Sequence, residues 1–214
     1  MRVIAVPVKS LDRAKGRLAE VLSPLERAAL TLAMLEDVLD AAMAIPGWQT
    51  WVVSPDEAVL EVSARRRARP LMEEAPGLVA AVRQVEEEAA DADALAVVLG
   101  DLPLVDAEAL AGVLRTLGPV VAAPAASDAG TNVLLRRPPS IVPPRFGTDS
   151  FRKHREAAEL HGLPFAVVRA PGLEFDLDRP EDIPAVLASG RRCRTVAACL
   201  EMGLSERLAV RSER

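Results

Sequence analysis

The chain has 214 residues, 50% of them hydrophobic and 27% charged, with a formal net charge of −5. A chain of this length can bury about 70% of its extended surface, so one α/β domain would be stable without disulfide bonds. The negative charge argues against a nucleic-acid surface, which needs a basic stripe, and no apolar run is long enough for a signal peptide or a membrane span. The sequence therefore predicts a cytoplasmic protein that binds neither nucleic acid nor membrane.

The first half of the chain alternates predicted strands and helices. Val3–Val8 is a buried first strand, and Ser23-Pro24-Leu25-Glu26 starts a helix, because Ser is an N-cap, Pro fits the first turn and Glu completes a capping box. This alternating order predicts a mostly parallel, doubly wound sheet. Apolar runs predict further strands at 48–54 and 95–99, and helical periodicity and caps predict helices at 57–67, 77–90 and 106–117.

The second half is predicted to be less regular. The segment 138–144 cannot be a central strand, because four of its seven residues are proline and lack a ladder donor. We expect it to form a small antiparallel or irregular lobe of a single α/β domain spanning residues 1–204, followed by a loosely ordered tail at 205–214. The other predicted elements are strands at 120–124, 132–136 and 165–170, a tight loop at 127–131, and helices at 149–160, 182–189 and 196–202.

Three aspartates follow predicted strands. Asp101 comes after the strand at 95–99, and Asp176 and Asp178 come after the strand at 165–170. Ligands of open α/β sheets bind at the carboxyl ends of strands, and two carboxylates on one side of an extended segment repel unless a cation lies between them. Oxygen ligands suit Mg²⁺, which usually shares its other positions with phosphates. The trio predicts a magnesium site for phosphoryl or nucleotidyl chemistry; turn and capping residues are the alternative.

Cationic and small residues suggest anion-binding segments. Lys9, Lys15 and Arg17 lie in the loop after the first strand, so they should project at the same edge as the aspartates and face a polyphosphate. Gly147 and Ser150 lie at a predicted helix start, where free backbone N–H groups and the Ser hydroxyl would hold a phosphate or carboxylate. Solvated surface residues and an ordinary helix start capped by Thr or Asp are the respective alternatives.

Other motifs are less informative. Gly130-Thr131-Asn132 is either a second anion-binding turn or a hairpin loop. His154 is interpreted as a half-buried packing residue, and His161 as a partner of the helix C-terminal dipole. The chain has no G-x-S-x-G nucleophile elbow, which makes a hydrolase less favoured.

Taken together, the order of these motifs resembles that of a known family. The motifs are Pro7-Val8-Lys9, Ala14-Lys15-Gly16-Arg17-Leu18, Asp101-Leu102-Pro103-Leu104, Gly130-Thr131-Asn132, Phe146-Gly147, Ser150-Phe151, His154, Asp176 and Asp178. They are similar to those of the guanylyltransferases of coenzyme F420 biosynthesis, which act on 2-phospho-L-lactate or phosphoenolpyruvate. The resemblance covers the chain to about Ala188.

The resemblance implies a GT-A-like nucleotidyltransferase fold, with GTP and a three-carbon phospho-acid as substrates. The acceptor phosphate would attack the α-phosphorus of GTP and expel pyrophosphate. By likeness, Mg²⁺ is held by Asp101, Asp176 and Asp178, the GTP phosphates by Lys9, Lys15 and Arg17, and the phospho-acid by Thr131, Gly147 and Ser150. Phosphoenolpyruvate is favoured, because bacterial members mainly use it and the Ala/Arg-rich composition resembles that of a GC-rich bacterium; 2-phospho-L-lactate and 3-phospho-D-glycerate stay open, as does a homodimer.

Two departures from the family pattern and two rival functions bear on this interpretation. Gly77-Leu78-Val79 stands where relatives often have Gly-Leu-Asn, which leaves guanine selectivity open, and Gly100 replaces a more usual Ala. A sugar or molybdenum-cofactor nucleotidyltransferase would usually have a glycine-rich turn after its first strand, but Lys9–Arg17 contains one Gly. A non-catalytic nucleotide-binding module would not need three aspartates at two strand ends.

Overall fold

A computed structural model describes residues 1–127 and 129–212, and within them seven strands form one sheet. The strands are β1 (Arg2–Pro7), β2 (Gln49–Ser54), β3 (Arg69–Met72), β4 (Ala94–Val98), β5 (Val120–Pro124), β6 (Thr131–Arg136) and β7 (Phe165–Val167). The helices are α1 (Pro24–Met43), α2 (Glu57–Arg65), α3 (Leu78–Glu88), α4 (Ala107–Arg115), α5 (Ser150–Leu160), α6 (Pro171–Glu174), α7 (Ile183–Ala188), α8 (Arg194–Glu201) and α9 (Leu204–Ser212), with 3₁₀ turns at Gly16–Leu18 and Pro180–Asp182.

The strand order is β3-β2-β1-β4-β6-β5-β7. β1 is parallel to β2 and β4, β2 to β3, and β5 to β7, whereas β6 is antiparallel to both β4 and β5. The predicted α/β domain with a mostly parallel, doubly wound sheet is therefore confirmed. Because β6 is reversed, its first residue, Thr131, lies at the same edge of the sheet as the end of β4: Val133 pairs with Val98, and the Leu99 N–H donates to Asn132 O at 3.0 Å.

Both faces of the sheet are covered. Successive side chains of β1 point to opposite faces, so Ile4 and Val6 pack with α1 and α4, whereas Val3 and Ala5 pack with α3. Burying each Val or Ile side chain stabilises the fold by about 1.5 to 3 kcal/mol. The predicted capping box of α1 is present, with the Ser23 side chain accepting from the Glu26 N–H and the Glu26 side chain accepting from the Ser23 N–H. No helix in the described part of the chain is long and apolar enough to cross a membrane.

The sequence does not predict β3. This strand begins with Arg69-Pro70, is largely exposed and pairs with β2 at the edge of the sheet. A proline and a lack of apolar alternation are both acceptable at an edge, where one side of the backbone needs no ladder partner. Only the parallel pairing with β2 identifies this segment as a strand.

Asp176 and Asp178 do not directly follow a strand, although the sequence had predicted that they would. β7 ends at Val167, and α6 separates it from the aspartates; β7 also lies at the sheet edge, with β5 and β6 between it and β4. The chain returns to β4 through the Leu177 N–H, which donates to Asp101 O at 3.2 Å. A Cβ at Gly172 would lie 2.3 Å from Leu104 O, so only glycine allows the α6 turn to pack this closely.

The predicted loose tail is also corrected. Residues 205–212 belong to α9, whose Leu204 is fully buried and whose Leu208 packs against the same hydrophobic cluster. The Arg207 Nη2 donates to Glu26 Oε1 at 2.7 Å, which attaches α9 to the start of α1. Leu204 and Leu208 are four residues apart and so share one face of the helix, which explains the packing. Residues 213 and 214 lie outside the described residues.

Candidate active site

Lys15, Asp101 and Asp178 meet at the carboxyl edge of the sheet. The Lys15 Nζ lies 2.9 Å from Asp101 Oδ2 and 2.7 Å from Asp178 Oδ1. The Lys15 side chain is only 7% exposed, whereas the two carboxylates are 30% and 35% exposed. The Arg17 Nη1 lies 3.4 Å from Asp178 Oδ2, and Lys9 is exposed on the same loop. The structure thus brings together the predicted cationic loop and two of the three predicted metal ligands.

The charges of this cluster stabilise one another. Burial lowers the pKa of Lys15, but Asp101 and Asp178 outweigh that effect and raise it above its usual value. Burial raises the pKa of Asp178, but the neighbouring Lys15, Arg17 and Lys9 outweigh burial and hold the pKa below its usual value. Both partners of the closest ion pair are therefore charged at neutral pH.

Asp176 is held by a hydroxyl group. Its two carboxylate oxygens accept from the Ser127 hydroxyl at 3.0 and 3.2 Å. Burial and then Asp101 and Asp178 raise the pKa of Asp176, although the Ser127 hydrogen bond opposes them. The Asp101 Oδ1 atom is buried and has no hydrogen-bond partner among the described residues. An unpartnered carboxylate oxygen beside two further carboxylates is the donor set that a hard divalent cation prefers, so the residues fit magnesium.

The aspartate trio is not arranged as a finished metal site. Within residues 1–127 and 129–212, no three Asp, Glu, His or Cys side chains are grouped as ligands of one metal ion. The Lys15 ammonium lies between Asp101 and Asp178 and contacts both. The assignment of Asp101, Asp176 and Asp178 to magnesium therefore stays a prediction.

Lys15 is held by an unusual backbone conformation. Its φ of 52° and ψ of 40° place it in the left-handed region, directly before the 3₁₀ turn that buries Leu18 completely. This conformation costs a residue other than glycine about 1 kcal/mol or more, so it persists only where packing enforces it. On the other side of the site, a Cβ at Gly100 would lie 3.1 Å from Val8 Cγ2. Glycine there lets the loop that carries Asp101 lie close to the end of β1.

Gly147 and Ser150 lie at the start of α5, as predicted. Gly147 has a φ of 117°, and no atom lies within 4 Å of the position a Cβ would occupy. The sequence predicted a free Ser150 N–H, but this group donates to Gly147 O at 3.0 Å. The Asp cap that was the alternative prediction is also absent: Asp149 is the N-cap residue, but its side chain makes no capping hydrogen bond and lies 3.6 Å from the Arg152 guanidinium. The segment is thus an open turn rather than a side-chain-capped helix start.

A buried hydrogen-bond network joins Ser150 to Thr131 and Thr131 to His154. The Ser150 Oγ lies 3.1 Å from Thr131 Oγ1, and the His154 Nδ1 lies 3.0 Å from the same Thr131 oxygen. Thr131 and Ser150 are each 2% exposed and His154 is fully buried, so the interpretation of His154 as half-buried is corrected. The Phe146 ring meets the imidazole edge-on at a centroid distance of 5.0 Å.

The backbone fixes the tautomer of His154. The Arg145 N–H donates to His154 Nε2 at 2.8 Å, so that nitrogen carries no proton. Burial, Arg136 and Arg145 lower the pKa of His154 to about 3, which keeps the ring neutral. Its single proton is therefore on Nδ1, and the imidazole donates to Thr131.

This neutral histidine gives a testable dependence of stability on pH. The folded pKa lies below the usual 6.5, so the unfolded chain binds the proton first and stability falls as pH decreases from 6.5 toward 3. We expect the wild type to lose about 2 kcal/mol more than His154→Gln between pH 7.5 and pH 5, as measured by urea unfolding. Parallel pH profiles for the two proteins would show that His154 is not held neutral.

The loop between β5 and β6 links both parts of the site. Ser127 contacts Asp176, and the Phe151 N–H donates to Ala129 O at 3.2 Å, which ties α5 to the same loop. The sequence indicated only a tight loop here and missed Ser127 and the role of the Arg145 backbone. Neither has a spacing signal, because their roles depend on which loops pack together. Asp128, which lies between Ser127 and Ala129 in the chain, is outside the described residues.

The sequence is similar to named enzymes over nearly its whole length. It is 41% identical over 187 residues to the phosphoenolpyruvate guanylyltransferase of Sphaerobacter thermophilus, covering 85% of this chain and 90% of that protein. It is 42% identical over 196 residues to the enzyme of the same name from Rubrobacter xylanophilus, covering 89% and 96%. It is also 42% identical over 201 residues to the 3-phospho-D-glycerate guanylyltransferase of Phenylobacterium zucineum, covering 88% and 91%.

Solved structures show the same fold at low sequence identity. A protein described as a nucleotide-diphospho-sugar transferase from Desulfovibrio desulfuricans matches with a TM-score of 0.75 and 19% identity, covering 94% of this chain and 95% of that one. CMP:2-keto-3-deoxy-manno-octonic acid synthetase matches with a TM-score of 0.59 and 13% identity, covering 89% and 100%. The GT-A-like nucleotidyltransferase fold is thereby confirmed.

A model of the family described as "Guanylyl transferase CofC like" matches residues 1–209. The chain belongs to this family of guanylyl transferases.

Proposed function

We propose that the protein transfers the GMP part of GTP to phosphoenolpyruvate and releases pyrophosphate, giving enolpyruvyl-2-diphospho-5′-guanosine for coenzyme F420 biosynthesis. One observation supports the proposal most: Lys15 forms ion pairs with Asp101 and Asp178 at the carboxyl edge of the sheet, in a chain that belongs to a guanylyl transferase family. The choice of acid follows the two relatives that are named for phosphoenolpyruvate.

The reaction needs positioning and charge neutralisation rather than a protein nucleophile. An oxygen of the acceptor phosphate is already anionic; it forms a bond to the α-phosphorus of GTP while the bond from that phosphorus to the pyrophosphate oxygen breaks. Holding two polyanions in line is costly without positive charge, and preorganised cations at the site offset that repulsion. Lys9, Lys15 and Arg17 supply such cations on one loop, with Lys15 fixed by its buried ion pairs.

Magnesium is the cofactor that the carboxylates fit. Asp101, Asp176 and Asp178 would hold it, and Asp101 has the buried oxygen that lacks a partner among the described residues. Bound there, the ion would neutralise charge on the transferred phosphate and on the leaving pyrophosphate. Ser127, which donates to Asp176 at 3.0 Å, keeps that carboxylate oriented.

The acceptor acid is assigned to the other part of the site. Thr131 and Ser150 supply hydroxyls, and Gly147 supplies a turn that no side chain obstructs. β6 begins at Thr131 beside the end of β4, so this part adjoins the loop that carries Asp101. Donor and acceptor substrates would thus meet at one edge of the sheet.

The test is to incubate the purified protein with GTP, Mg²⁺ and one acid at a time, and to identify the products by mass. Phosphoenolpyruvate should give a GMP adduct and an equal amount of pyrophosphate, and ATP or CTP in place of GTP reports on guanine selectivity. An absence of adduct with phosphoenolpyruvate, 2-phospho-L-lactate and 3-phospho-D-glycerate alike would refute the proposal.

3-Phospho-D-glycerate is the second candidate acceptor. The Phenylobacterium zucineum relative named for that acid is as similar to this chain as the two relatives named for phosphoenolpyruvate. Both acids have three carbons, a carboxylate and a phosphate, so the same hydroxyls and turn could hold either. Specificity constants measured with the two acids in the same assay decide between them.

Ser150→Ala should mainly affect the acid. Removing one hydroxyl deletes a hydrogen bond to a charged ligand, so the KM for the acid should rise by about 10-fold or more, while the KM for GTP changes little. The free energy of unfolding should fall by about 1 kcal/mol, since a buried bond to Thr131 is also lost. Exposed Ser140 provides the control variant Ser140→Ala, and an unchanged KM for the acid would leave Thr131 as the acceptor contact.

A further inference from the structure

We infer that His154 is a positioning residue for the acceptor acid: it orients the Thr131 and Ser150 hydroxyls so that one O–H remains to donate to the bound anion. The inference rests on the proposed function, because it assigns the two hydroxyls to the acid. It concerns a side chain that would not touch the substrate and that acts through Thr131.

The first step is a count of protons. Thr131 and Ser150 have two hydroxyl protons between them, and one is used in the 3.1 Å hydrogen bond that joins their oxygens. The second proton has no acceptor among the described residues. Whichever hydroxyl donates within the pair, the other retains a proton that an anion can accept. A carboxylate or phosphate accepts such a bond more strongly than a neutral group does.

The second step is the direction of the network. The Arg145 N–H can only donate, so His154 accepts at Nε2 and must donate from Nδ1 to the Thr131 oxygen. Hydrogen bonds that run in one direction polarise and strengthen each other in a buried site. The chain from Arg145 through His154 to Thr131 therefore occupies an acceptor position of Thr131 and directs the remaining hydroxyl proton away from the imidazole.

The third step is the location of the pair. Thr131 is the first residue of β6, and Ser150 is the first residue of α5, three residues after the open turn at Gly147. Both hydroxyl-bearing residues are 2% exposed, so an anion must enter the turn closely to reach them. The space around Gly147 permits such an approach, since nothing lies within 4 Å of the position of a Cβ there.

A purely structural role is the competing explanation. His154 is fully buried, contacts Phe146 and bridges α5 to the Arg145 backbone, so any substitution will cost stability. Loss of activity alone would not separate the two roles. They differ in which nitrogen matters, because only the Nδ1 donor reaches the hydroxyl pair.

Two variants separate the two nitrogens. The amide nitrogen of Asn occupies the δ position, like His Nδ1, so His154→Asn can donate to Thr131 but leaves the Arg145 N–H without an acceptor. The amide of Gln ends at the ε position, so His154→Gln can accept from Arg145 but loses the donor to Thr131. Each variant therefore retains one of the two hydrogen bonds.

The experiment measures KM for GTP and for phosphoenolpyruvate, kcat and the melting temperature of both variants. We expect His154→Gln to raise the KM for the acid by about 10-fold or more with little change in the KM for GTP. His154→Asn should keep the KM for the acid within about 3-fold of the wild type, even if its melting temperature is the lower of the two. In ¹⁵N NMR of the wild-type imidazole at pH 7, Nδ1 should carry the proton.

Several results would overturn the inference. They are equal values of KM for the acid in the two variants, equal changes for both substrates, or a proton on Nε2 in the wild-type imidazole. If the wild-type protein is active, each of these results refutes the role of His154 but leaves the proposed function in place. A folded wild-type protein that forms no adduct with any of the three acids overturns the proposed function and, with it, this inference.

Discussion

Asp101→Asn is expected to lower turnover by about 100-fold or more while leaving the fold intact. Asn has the same shape but no charge, so the buried oxygen that lacks a partner among the described residues attracts a divalent cation much less strongly after the substitution. The substitution also weakens the ion pair in which Lys15 Nζ lies 2.9 Å from Asp101 Oδ2. The measurement is kcat with GTP, Mg²⁺ and phosphoenolpyruvate, with circular dichroism to verify the fold.

Asp91→Asn is the matched control for this prediction. Asp91 is exposed in the turn before β4, so the control removes the same charge at the opposite end of that strand from Asp101. Its turnover should match that of the wild type. Near-normal turnover of Asp101→Asn itself would exclude Asp101 from both the magnesium site and catalysis.

Lys15→Met is expected to lower kcat/KM for GTP by about 10- to 100-fold. The side chain is 7% exposed and contacts two carboxylates, so its loss removes the best-fixed cation of the loop and leaves Asp101 and Asp178 without their shared partner. Carboxylates freed from an ammonium attract a divalent cation more strongly. Mg²⁺ without substrates should therefore raise the melting temperature of Lys15→Met more than that of the wild type.

Arg13→Met is the control, since Arg13 is exposed on the same loop and its loss changes the net charge equally. It should change neither kcat/KM for GTP nor the response to Mg²⁺. If Lys15→Met affects only the KM for the acid, the two substrates have been assigned to the wrong parts of the site. If Mg²⁺ stabilises wild type and variant equally, Lys15 does not compensate these carboxylates.

The sequence predicted the sheet and part of the site for a simple physical reason. Parallel strands end at one edge, so the loop after β1 and the loop after β4 had to bring Lys15 and Asp101 near each other. The contact itself was not predicted: Lys15 was expected to face phosphates, and the structure places its ammonium against Asp101 and Asp178. A buried ammonium needs an anionic partner, but burial of a loop residue cannot be read from periodicity.

The remaining features depend on which segments pack together. Asp178 reaches the site through the α6 turn and the Leu177–Asp101 backbone bond, neither of which follows from an apolar run. His154 could be placed on α5 by helical spacing, but its tautomer depends on the Arg145 backbone, which becomes its partner only after folding. Sequence patterns report periodicity and turns, so contacts between separate loops require the three-dimensional structure.

The reversed direction of β6 has a consequence for engineering. A hairpin from β5 brings Thr131 to the carboxyl edge of the sheet. The residues assigned to the acid therefore lie in one continuous stretch, 125–154. The cationic loop and Asp101 precede this stretch in the chain. That stretch can be exchanged as a cassette between relatives, with junctions in β5 and α5. Its required contacts with the rest of the chain include Ser127 with Asp176 and the Asn132 side chain with Leu173 O. Libraries that seek a new acceptor can therefore be confined to one segment of the gene.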